Sequence, residues 1–427
     1  MSRFTSDAIL RRRNRATAEL NLLLDQHEAV VIFCGEPIQK PGGLDQTYPF
    51  LAHPDYYWLT GSRRAHGAVW YCKDEGWTDF VQPITPEEML WEGGGSAPQG
   101  RPIQELSDWL KKKRIHVLGQ PSASVLNQHP SNERTLQLQE KLNRARRIKD
   151  DEEIRLIRTL ASFAHQGYQK LKSVVRPGVT ERELQLVYES AVLSAGAEKF
   201  PYDSIIGSGV NSATLHAIPT QRILQNGELL LVDAGADIED YCVDITRIFW
   251  ADGSMSPRQK QIYDLVRLAQ QAGIERCTPG TPWEQVHQAS ARVIAQGLKD
   301  LNILRGEVDH LLESGAIANF FPHGVGHLVG LRVRDVGGDV TRPAALTCGI
   351  RLRMNLNLEA GFIVTVEPGC YFVPAILQDE SRRKKFASQV NWSEAEKWAD
   401  FGGIRLEDDL LIREHDSAEN LTAEVEK

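Results

Sequence analysis

Residues 228–249, ELLLVDAGADIEDYCVDITRIF, constrain this chain more than any other stretch. Two runs of strand character flank the polar turn Asp237–Asp240, and each run carries an aspartate among apolar neighbours. A four-residue loop at 237–240 makes Ala236 face Tyr241 and sets Asp233 directly opposite Asp244. Opposed side chains on a strand pair have Cβ atoms about 4.5–5.5 Å apart, and like charges there are destabilising. Leu229 to Val232, Ile245, Ile248 and Phe249 make a bare carboxylate pair costlier still. A cation between the two reverses the sign of that cost. The plain alternative is a pair of surface aspartates on a solvated hairpin.

Three more motifs carry chemistry-bearing residues. In HGVGHLVGL (323–331), His323 and His327 are four apart, but Gly324 and Gly326 argue against a continuous helix. No Glu follows His323, so the helical HExxH zinc pattern is absent; the glycines point to close backbone approach to a substrate or metal. In IVTVEPGCYF, Glu367 ends an apolar strand before the turn at Pro368 and Gly369, and a Glu there needs a partner. In FGGIRLEDDLLI, period-two alternation puts Arg405 and Glu407 on one face. Arg405 either pairs with Glu407 or holds a ligand carboxylate in place from behind. Together these motifs supply four acids and one histidine. Oxygen-rich ligands with a single imidazole suit a pair of divalent ions, Mn²⁺ first, with Co²⁺, Zn²⁺ and Fe²⁺ as competitors. Two such ions about 3.5–4 Å apart provide a two-metal route to hydrolysis.

Composition narrows the partners. Lys+Arg 49 against Asp+Glu 57 gives a net charge of −8, which disfavours nucleic acid or an anionic membrane as the main partner. No run of about 18 apolar residues is present to span a bilayer. Arg11, Arg12, Arg13 and Arg15 are followed by no apolar segment before Asp25, so no secretory signal is expected. The six cysteines are scattered without a CxxC pair, which argues against disulfides or a thiolate zinc site and predicts a soluble, cytoplasmic location.

Helices and strands interleave over the first 145 residues. The pattern predicts a helix at 7–25 and a strand at Ala29–Cys34, closed by Pro41-Gly42-Gly43. Further strands are expected at Ala68–Cys72, Trp77–Gln82 and Ile115–Leu118, with a helix at Ile103–Lys113. Residues 144–175, heavily charged, read as one long helix connecting two domains. Thr180 with Glu183 forms a capping-box pattern, and Thr281, Pro282 and Glu284 repeat it for a helix running to Leu301. Strands at 229–233, 241–249, 362–366 and 404–412 mix with those helices, an α+β character.

The order Asp233, Asp244, His327, Glu367, Glu407, each inside its own motif, resembles the metallopeptidase family of prolidase and aminopeptidase P. TYPFLAHPDYYWLTG (47–61) is similar to a segment of that family's N-terminal domain. The resemblance implies a smaller α/β creatinase-like N-terminal domain (1–145), the connecting helix (146–175) and a C-terminal "pita-bread" catalytic domain (176–427). It also implies that Asp233, Asp244, His327, Glu367 and Glu407 ligate two divalent ions, with Glu367 as the proton shuttle. His216, in TLHAIP, matches a family histidine near the substrate. His323 matches one that helps stabilise the tetrahedral oxyanion. Thr246 and Tyr241, with Arg405, match positions behind the ligands. A homodimer is expected on the same ground.

The resemblance also bears on substrate. Arg353, in GIRLRMNL, lies where prolidases place an arginine, and a guanidinium facing the site would clamp a dipeptide's terminal carboxylate. With the prolidase-like segment 372–412, this favours an Xaa-Pro dipeptidase. The alternatives are an aminopeptidase P acting on longer Xaa-Pro peptides and a non-catalytic homologue. One position departs from the family: RDVGG stands where HDVGG is usual, so Arg334 replaces a histidine that approaches the substrate. Arginine does not titrate near neutrality, but it can hydrogen-bond or anchor a second carboxylate.

Overall fold

The computed structural model describes residues 4–93, 99–344 and 346–425. Contacts divide the chain into two compact units, Met1–Arg147 and Ile148–Lys427. The first is a five-stranded sheet built from β1 (Glu28–Phe33), β2 (Ala68–Cys72), β3 (Gly76–Val81), β4 (Arg101–Pro102) and β5 (Arg114–Gly119). Its order is β4-β3-β2-β1-β5, with β1 antiparallel to β2 and parallel to β5. Val31, Trp70, Phe80 and Val117 centre its core. The expected strands all form. The first helix is shorter than expected, Ser6–Leu20, opened by the Thr5 side chain. The helix expected at Ile103–Lys113 shrinks to a 3₁₀ turn, Ile103–Glu105, and the single turn Leu106–Trp109. Tertiary pairing wins there, because Lys113 leaves the helix to donate to Asp74 and to the Gln26 carbonyl.

The connecting helix expected over 146–175 is instead two helices, Glu133–Arg147 and Asp151–Lys172. Asp150 caps the second: its carboxylate accepts from the backbone of Glu152 and Glu153, while Glu153 accepts from the Asp150 N–H. A complete capping box was hidden in the acidic run DDEE, residues 150–153. The backbone N–H of Lys149, outside both helices, donates to the Gly361 carbonyl.

In the second unit the Thr180–Glu183 box forms as expected and opens Glu181–Ala195, which stops at Gly196 with φ +119. The other box does not form. Thr281 bonds the Thr278 hydroxyl instead, and Trp283–Asp300 begins at Pro282 without a side-chain cap. Together with Pro257–Ile274, this helix covers a core that includes Val266, Ile294, Leu328, Val364 and Leu410. Under it lie β6 (Ile205–Ser208), β7 (Leu229–Asp233), β8 (Ala236–Ile238), β9 (Tyr241–Val243) and β10 (Thr246–Trp250). After these come the short pair β11 (Leu346–Thr347) and β12 (Ile350–Arg351). The remaining strands are β13 (Ile363–Val366), β14 (Gly369–Tyr371), β15 (Gly403–Arg405), β16 (Asp408–Leu411) and β17 (Glu419–Asn420). They form small antiparallel sheets ordered β10-β7-β6 and β13-β16-β17, linked by an isolated bridge between Thr246 and Glu407.

The hairpin register differs from the expected one by two residues. Ala236 pairs with Val243, Ile238 with Tyr241, and Asp233 with Thr246. The loop is therefore two residues, Glu239 and Asp240, both left-handed at φ 55 and 64. That is the combination a type I′ turn requires, and it matches the twist of a hairpin better than the longer loop. Because side chains alternate with period two, a shift of two keeps Asp233 and Asp244 on the same face.

Candidate metal centre

Asp233 ends β7, whose five residues are all buried. Asp244 lies just before β10, opposite the glycine of DAGAD; a Cβ at Gly235 would sit 2.0 Å from the Val243 carbonyl. The Tyr202 hydroxyl reaches both aspartates, 2.8 Å from Asp233 Oδ1 and 2.5 Å from Asp244 Oδ1. One phenol thus joins two carboxylates that the strand register leaves diagonal.

His327 comes from an extended segment, as the flanking glycines predicted, but the close approach they permit is to β13. Gly326 has φ +156, and a Cβ there would meet the Thr365 carbonyl at 2.1 Å. The segment runs antiparallel to β13: Thr365 N–H donates to the His327 carbonyl (2.8 Å) and Glu367 N–H to that of Val325 (2.7 Å). His327 Nδ1 faces its neighbour's carbonyl at 3.0 Å, which leaves Nε2 facing Asp244 Oδ2 at 3.5 Å and Glu367 Oε1 at 3.7 Å. This is the tautomer a metal-ligating imidazole needs.

Glu407 lies between β15 and β16, and Thr246 Oγ1 donates to its Oε2 at 2.6 Å. Arg247, fully buried, fixes the backbone behind it by donating to the Glu407 carbonyl (2.5 Å) and to Asp408 (2.7 Å). Arg405 does not pair with Glu407. Its Nη2 meets Asp233 Oδ2 at 2.5 Å, Nε donates to Thr246, and Nη1 donates to the Tyr371 hydroxyl.

Of the five expected ligands, Asp244, His327 and Glu407 bring one ligand atom each within 4.8 Å of one another, all three buried. Glu367 adjoins them across His327, and Asp233 joins through Tyr202 while its other oxygen is held by Arg405. Four carboxylates and one guanidinium leave a formal −3 around a neutral imidazole. Burial pushes Asp233 up to about 6, with Arg405 opposing and Asp244 adding. Burial pushes Glu367 up to about 7, against the pull of His327 and Arg405. Glu407 is raised well above the ordinary range by burial and then by Asp244, Glu367 and Asp233. Burial opposes charge on Asp244 and His327 too, but their contact overrides it, holding Asp244 low and His327 high. A cluster in which acids retain protons and a histidine takes one up is short of positive charge. Divalent ions fit it.

The remaining expected residues fall differently. His323 is held neutral, its pKa pushed down to about 3 by burial and the Arg405 charge. Both its nitrogens are engaged within the protein, Nδ1 with the Gly324 carbonyl and Nε2 with the Tyr371 hydroxyl, each at 2.9 Å. In this arrangement it offers no free N–H to an oxyanion, contrary to expectation. His216 is exposed; burial, then the charges of Arg334, Arg405 and Arg353, lower its pKa, while Asp244 acts oppositely. Arg334 and Arg353 are both exposed. Tyr241 donates to Glu153 at 2.7 Å, tying the hairpin to the helix Asp151–Lys172 rather than supporting a ligand. The hydroxyl that touches the carboxylates is that of Tyr202, which no spacing rule marked in FPYDS. Sequence reasoning also missed Asp409, whose carboxylate accepts the Asp244 N–H at 3.1 Å.

A cluster of buried carboxylates with one free imidazole nitrogen, on an α+β unit, defines a metallohydrolase type of centre. Residues 155–414 match the model for metallopeptidase family M24, and residues 9–106 match the aminopeptidase P N-terminal domain. The chain belongs to metallopeptidase family M24, and within it to the prolidase and aminopeptidase P group. It is similar to a probable Xaa-Pro aminopeptidase of Botryotinia fuckeliana, 31% identical over 89% of this chain and 86% of that protein. It also resembles the structure of Pseudomonas aeruginosa aminopeptidase PepP, with TM-score 0.81 and 26% identity over 100% of this chain and 97% of that one. Escherichia coli aminopeptidase P with the inhibitor Pro-Leu gives TM-score 0.80 and 25% identity over 99% and 96%. These relatives favour the aminopeptidase alternative over the dipeptidase that the sequence put first.

Proposed function

We propose that this metallopeptidase releases the N-terminal residue from peptides with proline second, Xaa-Pro-Yaa and longer. The buried cluster of Asp244, His327 and Glu407 carries the hydrolytic reading. The names of the relatives support the substrate class. Asp233, Asp244, His327, Glu367 and Glu407 hold two divalent ions, with Mn²⁺ the first choice for this donor set and Co²⁺, Zn²⁺ or Fe²⁺ as substitutes. Ions bound there supply Lewis-acid polarisation of the scissile carbonyl and a more acidic water.

The protein's own groups do the rest. Glu367 stands 3.7 Å from His327 and 3.8 Å from His323, at the edge of the cluster, placed to take a proton from the attacking water and return it to the leaving imino nitrogen. That return matters for proline, whose departing nitrogen carries no N–H. Arg405 and Tyr202 hold Asp233 in orientation, and Thr246 holds Glu407. His323, neutral and fixed by Tyr371, packs edge to face with Phe321. The six cysteines, all buried and unpaired, support a reducing, cytoplasmic setting.

Steady-state rates on Ala-Pro, Ala-Pro-Ala and Ala-Pro-Ala-Ala in Mn²⁺ test the reading. The tripeptide and tetrapeptide should be cleaved faster than the dipeptide, and Asp244→Asn should abolish all three. A clear preference for Ala-Pro, lost selectively in Arg353→Ala, would restore the dipeptidase.

A further inference from the structure

Arg334 and Arg353 stand out from the other surface cations. Arginines elsewhere commonly have an acid in reach, as in Arg64 with Glu88, Arg222 with Glu228 and Arg292 with Asp309. Among the described residues neither Arg334 nor Arg353 has a hydrogen-bonded or ion-paired partner, on a chain whose net charge is −8. They lie close enough for the Arg334 charge, after burial, to lower the basicity of Arg353. The loop that follows Arg334 runs between the two sides of the site: a Cβ at Gly337 would lie 3.8 Å from the backbone nitrogen of Leu328, the neighbour of His327, and one at Gly338 would lie 3.5 Å from the Arg353 carbonyl.

The loop carrying Arg334 is fixed from behind. Its neighbour Asp335 forms a buried ion pair with Lys149 at 3.0 Å, their side chains 2% and 0% exposed. The Asp335 N–H donates to the carbonyl of Leu328, the residue after His327. Removing one member of a buried pair is strongly destabilising, so this fastening resists drift. The backbone next to Arg334 is thereby fastened to the residue that follows the histidine ligand. Two unpaired guanidiniums repel each other, and a carboxylate entering between them relieves that repulsion with bidentate contacts.

We propose that Arg334, beside Arg353, reads a carboxylate on the leaving-group side of the scissile bond, making the enzyme selective for peptides acidic just after the proline. The proposal rests on the Xaa-Pro aminopeptidase reading. Because that reading has the first residue released, the carboxylates of such a peptide beyond the proline all lie on the leaving-group side. That carboxylate comes either from the chain terminus of a short peptide or from an acidic third side chain.

Four substrates separate these cases on the Mn²⁺-loaded enzyme: Ala-Pro-Ala, Ala-Pro-Ala-NH2, Ala-Pro-Glu-NH2 and Ala-Pro-Gln-NH2. A terminal carboxylate predicts that amidation of Ala-Pro-Ala raises KM by about tenfold, the scale of one charge-assisted contact. An acidic side chain predicts a similar gap between the Glu and Gln peptides. Either gap should close in Arg334→Ala, shrink as ionic strength rises, and survive partly in Arg334→Lys. The double variant Lys149→Met with Asp335→Asn should narrow the gap while Arg334 is present and change nothing further in the Arg334→Ala background. Hydrolysis blind to charge, or a gap that survives Arg334→Ala, overturns the inference alone. No hydrolysis of any of the four overturns the peptidase reading as well.

Discussion

His287 lies within the helix Trp283–Asp300, fully buried, and neither ring nitrogen has a hydrogen-bond partner among the described residues. It stacks on Phe321, whose other neighbour is His323. Burial pushes its pKa down to about 4, because an imidazolium there has nothing to solvate it. In the unfolded chain a histidine titrates near 6.5. Between those values the unfolded state binds the extra proton, so stability is intact above 6.5 and lost as pH falls towards 4. The loss should be about 2 kcal/mol by pH 5 and about 3 kcal/mol below pH 4. His287→Phe keeps the stack and removes the titration. Urea unfolding at pH 7 and pH 5 should therefore show a smaller drop for the variant than for the parent; equal drops would rule this residue out as the source. Tyr202 shows a different limit at this scale. It bridges Asp233 and Asp244, yet a tyrosine in FPYDS carries no periodicity or spacing that distinguishes it from a core aromatic.

At the scale of elements, glycine placement decides where His327 goes. A side chain at Gly326 would collide with the Thr365 carbonyl in a backbone conformation that L-residues rarely adopt. Gly326→Ala should cost on the order of 2–3 kcal/mol and move His327 off Asp244, so that melting temperature and metal affinity fall together. Retained affinity at a lowered melting temperature would separate the two effects and contradict this account. The glycines of HGVGH were legible as close approach, but what they approach was not, because strand pairing between residues 327 and 365 is non-local. The hairpin shows the same division. Apolar runs and aspartates gave its existence and the shared face of Asp233 and Asp244. The loop length turned on whether Glu239 and Asp240 accept positive φ, which composition does not announce. Charge misled at 144–175, where the acidic run that suggested a continuous surface helix is itself the cap that breaks it. Of the motifs local in sequence the Thr180 box was read correctly and the Thr281 box was not, since Thr281 turns to Thr278; hydrogen bonds reaching across the fold, such as Arg405 to Asp233, were not assignable from spacing.

For the molecule as a whole, stability and metal content should be linked through pH, with a sign opposite to that of His287. Asp233 and Glu367 have pKa values raised to about 6 and about 7, and that of Glu407 is raised well above the ordinary carboxylate range. In the unfolded chain these acids ionise near 4. Without cations the folded state thus holds more protons than the unfolded state from about pH 4 upward, and its stability falls as pH rises through 6 and 7. The penalty is on the order of 3 kcal/mol for each fully shifted group. Divalent ions replace those protons, so the loaded protein escapes the penalty and also gains binding free energy that grows as ligands deprotonate. The titration of His287 is common to both forms and cancels in their difference. The gap in melting temperature between the Mn²⁺-loaded and chelator-treated protein should therefore widen from pH 5 to pH 8, by at least several degrees. A gap independent of pH would mean that the four carboxylates are compensated from within the protein, and the electrostatic reason for placing cations among Asp244, His327 and Glu407 would be lost.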